Sequence, residues 1–209
     1  MVDRTKQFVR RMIRVLARIL NRLTGGKVTP NGVTFFGLAM HIPIAWLIAM
    51  QQNFWAAGLL VFFGLFDTLD GELARIQNRV TANGALLDSV TDRMKEIVLY
   101  SGAGYAIIAE TGRPDLALWA VAACGCSLLT SYVNAAGDVA MSRAPAQKHA
   151  TNKAFRGGPL PFEIRMVILV VGLLSNHVAL AVIVIALGAA YTAVSRLFNV
   201  LARLQEANG

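Results

Sequence analysis

Charge is scarce in this chain, and acidic charge scarcest of all. Of 209 residues only 15% are charged, with 12 Asp or Glu against 20 Lys or Arg, while 56% are hydrophobic. That balance excludes an ordinary soluble domain, in which about 45–50% of residues are apolar and about 25% charged. Cysteine is almost missing. Cys124 and Cys126 lie in an apolar segment at a spacing that puts them on different faces of a helix, which favours packing over a disulfide or a metal pair. There is no internal repeat and no low-complexity tract. No apolar segment with a small-residue cleavage site follows the first arginines, which disfavours a cleavable signal peptide.

What the chain has instead is apolar length. A bilayer-crossing helix needs about 20 mostly apolar residues, and the sequence holds material for about six. The runs expected are about 33–50, 54–76, 83–109, 116–136, 162–174 and 178–201, separated by polar or turn-forming segments. Gly25-Gly26 breaks an earlier helix, and Thr29-Pro30-Asn31 starts the next with proline in the first turn, where its missing N–H costs nothing. His41, inside the first run, is expected to be a polar group satisfied between helices. The expected fold is therefore all-α. It is a single membrane domain over 1–209, an integral bundle of six transmembrane helices within 33–203 behind an amphipathic juxtamembrane helix at 4–24.

The formal net charge of +8 does not point to nucleic acid, because its distribution follows a membrane. Arg10, Arg14, Arg18 and Arg22 recur at helical spacing against Phe8, Val9, Met12, Ile13, Val15, Leu16, Ile19, Leu20 and Leu23. This is the pattern of a basic amphipathic helix lying among anionic headgroups. A solvated charged face on an ordinary helix is the plainer alternative. Nineteen of the 20 Lys/Arg residues fall before the first span, at the second-to-third and fourth-to-fifth connections, or near the carboxyl end; only Arg113 falls on the other side. The positive-inside rule then puts both termini and the polar ends of spans two and three in the cytoplasm of a multi-pass cell-membrane protein.

Those polar ends carry the chemistry. Residues 67–92 set Asp67, Asp70, Asp88 and Asp92 among apolar neighbours, and ionised groups at membrane depth are costly enough to mark function. Asp67, Asp70, Gly71 and Ala74 share one helix face; Gly84, Asp88 and Asp92 share another. A short connection makes the two helices antiparallel, so the faces can meet. Four converging carboxylates stay ionised together only with cations among them, and an all-oxygen donor set favours magnesium, manganese or calcium over zinc. Gly71, Ala74 and Gly84 leave room for a ligand to approach the backbone. Arg75, near the helix end, offers a planar fork for phosphate oxygens. The plainer reading is a structural charge network with Arg75, Arg79, Arg93 and Lys95, which would not require glycine and alanine at these offsets.

Eight identities over these 26 residues form the pattern D-x2-D-G-x2-A-R-x8-G-x3-D-x3-D, filled by Asp67, Asp70, Gly71, Ala74, Arg75, Gly84, Asp88 and Asp92. In this the chain resembles the CDP-alcohol phosphatidyltransferases, and the likeness extends to the helix count, the amino-terminal helix and the Thr29-Pro30-Asn31 segment. The resemblance implies that Asp67, Asp70, Asp88 and Asp92 hold two magnesium or manganese ions. It implies that Pro30, Asn31, Asp67, Gly71, Ala74, Arg75, Thr81 and Gly84 bind the CDP-diacylglycerol headgroup. Asp92 would be the catalytic base toward a small polar alcohol acceptor, with cytidine monophosphate leaving. A homodimer is also implied, for which Gly188-Ala189-Ala190 offers a small-residue surface.

Within the family, Asp88-Ser-Val-Thr-Asp92-Arg93 is similar to the bacterial phosphatidylinositol-phosphate synthases, which implies inositol phosphate as acceptor. Arg165, Arg196 and Asn134 are the acceptor-binding candidates on that likeness. The chain departs from the subgroup after Ser131-Tyr132, where a lysine and an arginine are missing; Lys148, Lys153 or Arg156 could replace them. Glycerol phosphate, serine or an unphosphorylated polyol are the alternatives, and Arg165 and Arg196 could instead snorkel to headgroups. A membrane prenyltransferase would need more helices and a different aspartate spacing. A magnesium transporter would need carboxylates along a path across the membrane.

Overall fold

The computed structural model describes residues 2–143 and 160–208, and every described element is a helix. In chain order these are α1 (Val2–Leu23), α2 (Pro30–Ala49), α3 (Asn53–Gly64), α4 (Phe66–Ile76), α5 (Ala82–Thr111), α6 (Pro114–Arg143), α7 (Phe162–Leu174) and α8 (Val178–Asn208). The chain divides into two compact units, one ending at Leu99 and the other beginning at Tyr100, so the division falls inside α5. Arg143 closes α6, while Lys148, Lys153 and Arg156, the possible replacements for the missing cations, lie outside the described residues.

In the first unit, α1 stops where the sequence says it should. Thr24 N–H and Oγ1 both donate to the Leu20 carbonyl, and Gly25 and Gly26 take positive φ (58° and 76°), the left-handed backbone glycine tolerates best. The helix packs against α4 rather than standing apart. It buries Ile13 and Ala17 and leaves Met12, Val15 and Leu16 outward. Two polar ties fix it there. Arg14 Nε donates to Glu72 Oε2 at 3.1 Å, and Gln77 Nε2 donates to Asn21 Oδ1 (2.9 Å) and to the Val28 carbonyl (2.8 Å). One arginine of the expected basic face is therefore turned toward protein.

The expected second span is two helices. Its 24 residues, Asn53–Ile76, bend at Leu65 beside Gly64, where the regular hydrogen-bond ladder lapses although Leu65 keeps helical dihedrals. Phe36, Phe62, Phe63 and Phe66 gather at the bend with ring centroids 5.1–6.0 Å apart. Asp67 follows within the first turn of α4. His41 is buried and satisfied, but its Nδ1 donates to the Gly37 carbonyl at 2.7 Å, one turn back on its own helix and not across to a neighbour as expected.

In the second unit small residues let the helices close up. A Cβ on Gly172 would lie 2.3 Å from Ala181 Cβ, one on Gly137 would lie 2.9 Å from Val200 Cγ2, and one on Gly188 would lie 2.7 Å from Leu160 Cδ2. Ala189 is fully buried as well. Part of the small-residue run suggested for a dimer is thus spent on packing within the chain. Cys124 and Cys126 are both half-buried.

Among the described residues, four helical stretches are long and apolar enough to cross a membrane: Pro30–Ala49, Asn53–Ile76, Pro114–Ser142 and Val178–Gln205. The six-span expectation is met only in part by that measure. α5 carries Asp88, Asp92, Arg93, Lys95 and Glu96 in its first half and Glu110 near its end, which leaves too short an uncharged stretch between them. α7 has 13 residues, roughly 20 Å at 1.5 Å per residue, against a hydrocarbon core of about 30 Å. α6 and α8 run further than expected, past Ala136 and Leu201, because Gly137 sits inside α6 against Val200 and does not end it.

Candidate active site

The first turns of α2 and α5 and the inner face of α4 surround a cavity of about 300 Å³. Its walls include Pro30, Asn31 and Thr34 from α2, Asp67, Asp70, Gly71, Ala74 and Arg75 from α4, and Thr81, Gly84 and Asp88 at the start of α5. All eight residues expected at the nucleotide site line this one space. The local reasons are visible. Thr29 caps α2 by accepting the Gly32 N–H on Oγ1 (3.1 Å), and Thr81 caps α5 by accepting the Gly84 N–H at the same distance. Two helix amino ends therefore border the cavity, each favouring anionic groups nearby. Gly71 lines it too, and a Cβ there would meet no atom within 4 Å. Packing does not demand a glycine at 71; its effect is to leave room.

The carboxylates do not form a ready cage. Among the described residues no three His, Cys, Asp or Glu side chains gather closely enough to hold an ion as they stand. Other donors hold three of the four. Thr34 Oγ1 donates to Asp70 Oδ2 at 2.6 Å, and Lys95 Nζ, almost wholly buried, ion-pairs with Asp67 Oδ1 and with Asp92 Oδ1 at 3.1 Å. Arg93 stands 4.0 Å from Asp92 and pairs with the buried Glu96. Asp88 differs: its Oδ1 is buried with no hydrogen-bond partner. An unpartnered buried carboxylate oxygen, on a residue lining the same cavity as Asp67 and Asp70, suits a hard divalent cation. Asp92 stands outside the cavity lining, one turn beyond Asp88.

Residues 27–194 match the sequence profile of the CDP-alcohol phosphatidyltransferases. The chain belongs to that family. It is an enzyme of the transferase class and an integral membrane protein. Among its relatives is a phosphatidylinositol phosphate synthase of Corynebacterium glutamicum, 28% identical over 194 residues, covering 89% of this chain and 82% of that one. An archaetidylinositol phosphate synthase of Pyrococcus horikoshii is 28% identical over 190 residues, covering 91% and 93%. The crystal structure of Mycobacterium tuberculosis phosphatidylinositol phosphate synthase with CDP-DAG bound superposes with a TM-score of 0.77 at 26% identity, covering 91% of this chain and 94% of that one. The same enzyme in complex with manganese and citrate gives 0.76 at 26% identity, covering 90% and 88%.

Sequence reasoning passed over Thr34 and Glu72 in this phosphatidyltransferase, and weighed Arg79 only as a member of a structural charge network. Thr34 lies one turn after Pro30 and three residues after Asn31, a spacing that could have placed it on the same face. Arg79 also lines the cavity. Glu72 is buried between Arg14 and Arg75, accepting from Arg75 Nη1 at 2.7 Å, and so ties the motif arginine to α1. A second cavity, about 510 Å³ and bounded only by apolar side chains and Gly32, opens between α1, α2 and the α3–α4 bend. Phe66 and Leu69 face it, while Asp67 and Asp70 face the polar one.

The acceptor candidates belong to the second unit. Arg165, 1% exposed, donates from Nη1 to the Leu160 carbonyl (3.1 Å) and stands over the Phe162 ring at 5.9 Å. Arg196, 7% exposed, donates from Nη1 to the Thr130 carbonyl (3.1 Å), within electrostatic range of Arg165. Asn134 is half-buried one turn beyond Thr130 on α6. Burial this complete does not fit side chains reaching out to lipid headgroups.

Proposed function

We propose that this phosphatidyltransferase moves the phosphatidyl group of CDP-diacylglycerol to a hydroxyl of inositol phosphate, releasing cytidine monophosphate. The observation that carries the donor half is the meeting of all eight expected nucleotide-site residues around one polar cavity. The two capped helix ends and Arg75 suit the pyrophosphate, and the open space beside Gly71 suits the approach of the headgroup. The neighbouring apolar cavity suits hydrocarbon, with α4 dividing tail from head.

Asp67, Asp70 and Asp88 would hold magnesium or manganese beside the pyrophosphate, with Asp92 completing the set. A divalent ion there would neutralise the oxygens of the attacking and leaving groups. The chain's own residues do the rest. Thr34 fixes Asp70, Glu72 aims Arg75, and Asp92, steadied by Lys95 and Arg93, takes the proton of the acceptor hydroxyl as that oxygen bonds to the phosphorus carrying diacylglycerol. Cytidine monophosphate leaves as the phosphoanhydride bond breaks. Arg165, Arg196 and Asn134 would receive the acceptor; two buried guanidiniums in mutual range favour a phosphorylated one.

We read the chain as one membrane domain, since the family match runs across both units. Six membrane-embedded helices, an interfacial α1, a cytoplasmic site with cytoplasmic termini, and a homodimer complete the proposal. The deciding experiment supplies purified protein with CDP-diacylglycerol, magnesium and one acceptor at a time. Inositol phosphate should release cytidine monophosphate at least tenfold faster than glycerol phosphate, serine or inositol, and chelation should stop it. Faster turnover with any of the other three would overturn the acceptor, and turnover in excess chelator would overturn the metal.

A further inference from the structure

Arg165 is almost wholly buried, and it is held by the turn that leads into its own helix. Its Nη1 donates to the Leu160 carbonyl at 3.1 Å, and its guanidinium stands 5.9 Å from the centre of the Phe162 ring. A buried guanidinium keeps its place through such fixed partners, so the position of residues 160–162 sets that of the charge. The turn does not fix itself. Pro161 occupies the capping position of α7 and, being proline, offers no side-chain acceptor to the first turn. The constraint comes from α8. The Leu160 N–H donates to Thr192 Oγ1 at 3.2 Å, and the Thr192 hydroxyl donates to the Gly188 carbonyl at 2.7 Å, one turn back. The Leu160 side chain lies against Gly188, where a Cβ would come within 2.7 Å of its Cδ2. Thr192 is fully buried, and Arg196 follows it by one turn on the same face of α8.

Resting on the reading of Arg165 and Arg196 as acceptor-binding residues, we infer that Thr192 is a positioning residue for the acceptor: through Leu160 it holds Arg165 in register with Arg196. The path is short. α8 carries Arg196 directly and fixes Arg165 at one remove, by way of the Thr192 hydroxyl, the Leu160 N–H and the Leu160 carbonyl. One helix therefore sets the spacing of the two guanidiniums, and with it the fit to an anionic group bound by both.

The test is steady-state kinetics on the full-length protein in detergent, with CDP-diacylglycerol, magnesium and inositol phosphate. Thr192→Val keeps the shape and deletes the hydroxyl. It should raise the KM for inositol phosphate about fivefold, the size of one lost hydrogen bond, and leave the KM for CDP-diacylglycerol unchanged. Thr192→Ser should restore the wild-type value. Arg165→Gln should raise the acceptor KM further, and adding Thr192→Val to it should change nothing more, because the residue that Thr192 serves is gone. A folded Thr192→Val with a wild-type acceptor KM, a donor KM raised as much, or a full added penalty on top of Arg165→Gln overturns the role of Thr192 and leaves the acceptor reading standing. An unchanged acceptor KM in Arg165→Gln, or no turnover with inositol phosphate, overturns that reading and this inference together. Should Thr192→Val not fold, Gly188→Ala takes its place: it keeps the hydroxyl and pushes Leu160 off α8, so an unmoved acceptor KM there refutes the proposal.

Discussion

Glycine does opposite work in the two units. In the second, Gly137, Gly172 and Gly188 each face a side chain so closely that a single added carbon would collide with it. In the first, Gly71 faces open space bordered by carboxylates. The same residue type thus closes helices together in one unit and keeps them apart in the other. Packing by small residues is what holds helices together where lipid provides no hydrophobic contrast. Leaving a cavity, with a buried carboxylate oxygen unpartnered, is a concession of stability that a binding site requires.

The largest way to sharpen the contrast is Asp88→Asn. Activity should fall on the order of a hundredfold or more, as expected when a group that stabilises transition-state charge is lost. The melting temperature should hold or rise, since the orphaned carboxylate disappears. A lower Tm in the absence of metal would mean that Asp88 supports the fold. Gly172→Val should do the reverse. Its Cβ would sit 2.3 Å from Ala181 Cβ, and overpacking of that kind costs about 3 kcal/mol. Thermal unfolding in detergent should show a marked drop, with the Michaelis constants of surviving protein unchanged; an unaltered Tm would remove the distinction between the units. The smallest change is Gly71→Ala. Alanine in mid-helix is about 1 kcal/mol better than glycine, so Tm should edge upward while the KM for CDP-diacylglycerol rises roughly tenfold, the size expected when a methyl group intrudes on a fitted space. An unchanged KM would show that the ligand keeps clear of this helix.

Much of the first unit is legible in the primary structure because its determinants are local. Thr29 before Pro30, Gly25 before Gly26, and the i, i+3, i+4 spacing of Asp67, Asp70 and Gly71 each act within one or two turns. What escaped depends on neighbours distant in sequence. Nothing near Glu72 announces that Arg14, 58 residues earlier, will meet it. Lys95 read as one cation among several because its bridge to Asp67 exists only once α4 and α5 are side by side. The bend at Leu65 lies beside an aromatic cluster assembled from α2, α3 and α4. Gly137 read as the end of a helix, but Val200 on α8 packs against it and α6 continues.

The two capped starts bordering the polar cavity share the pattern Thr-x-Asn-Gly, as Thr29-Pro30-Asn31-Gly32 and Thr81-Ala82-Asn83-Gly84, and in each the threonine oxygen takes the glycine N–H. The shape of both helix entrances is therefore fixed by bonds internal to the protein, before any nucleotide arrives. A headgroup bound as proposed would meet two helix entrances already in shape, so little of its attraction would be lost to ordering them. Discrimination among donors would then fall to the fit of a rigid mould at these entrances.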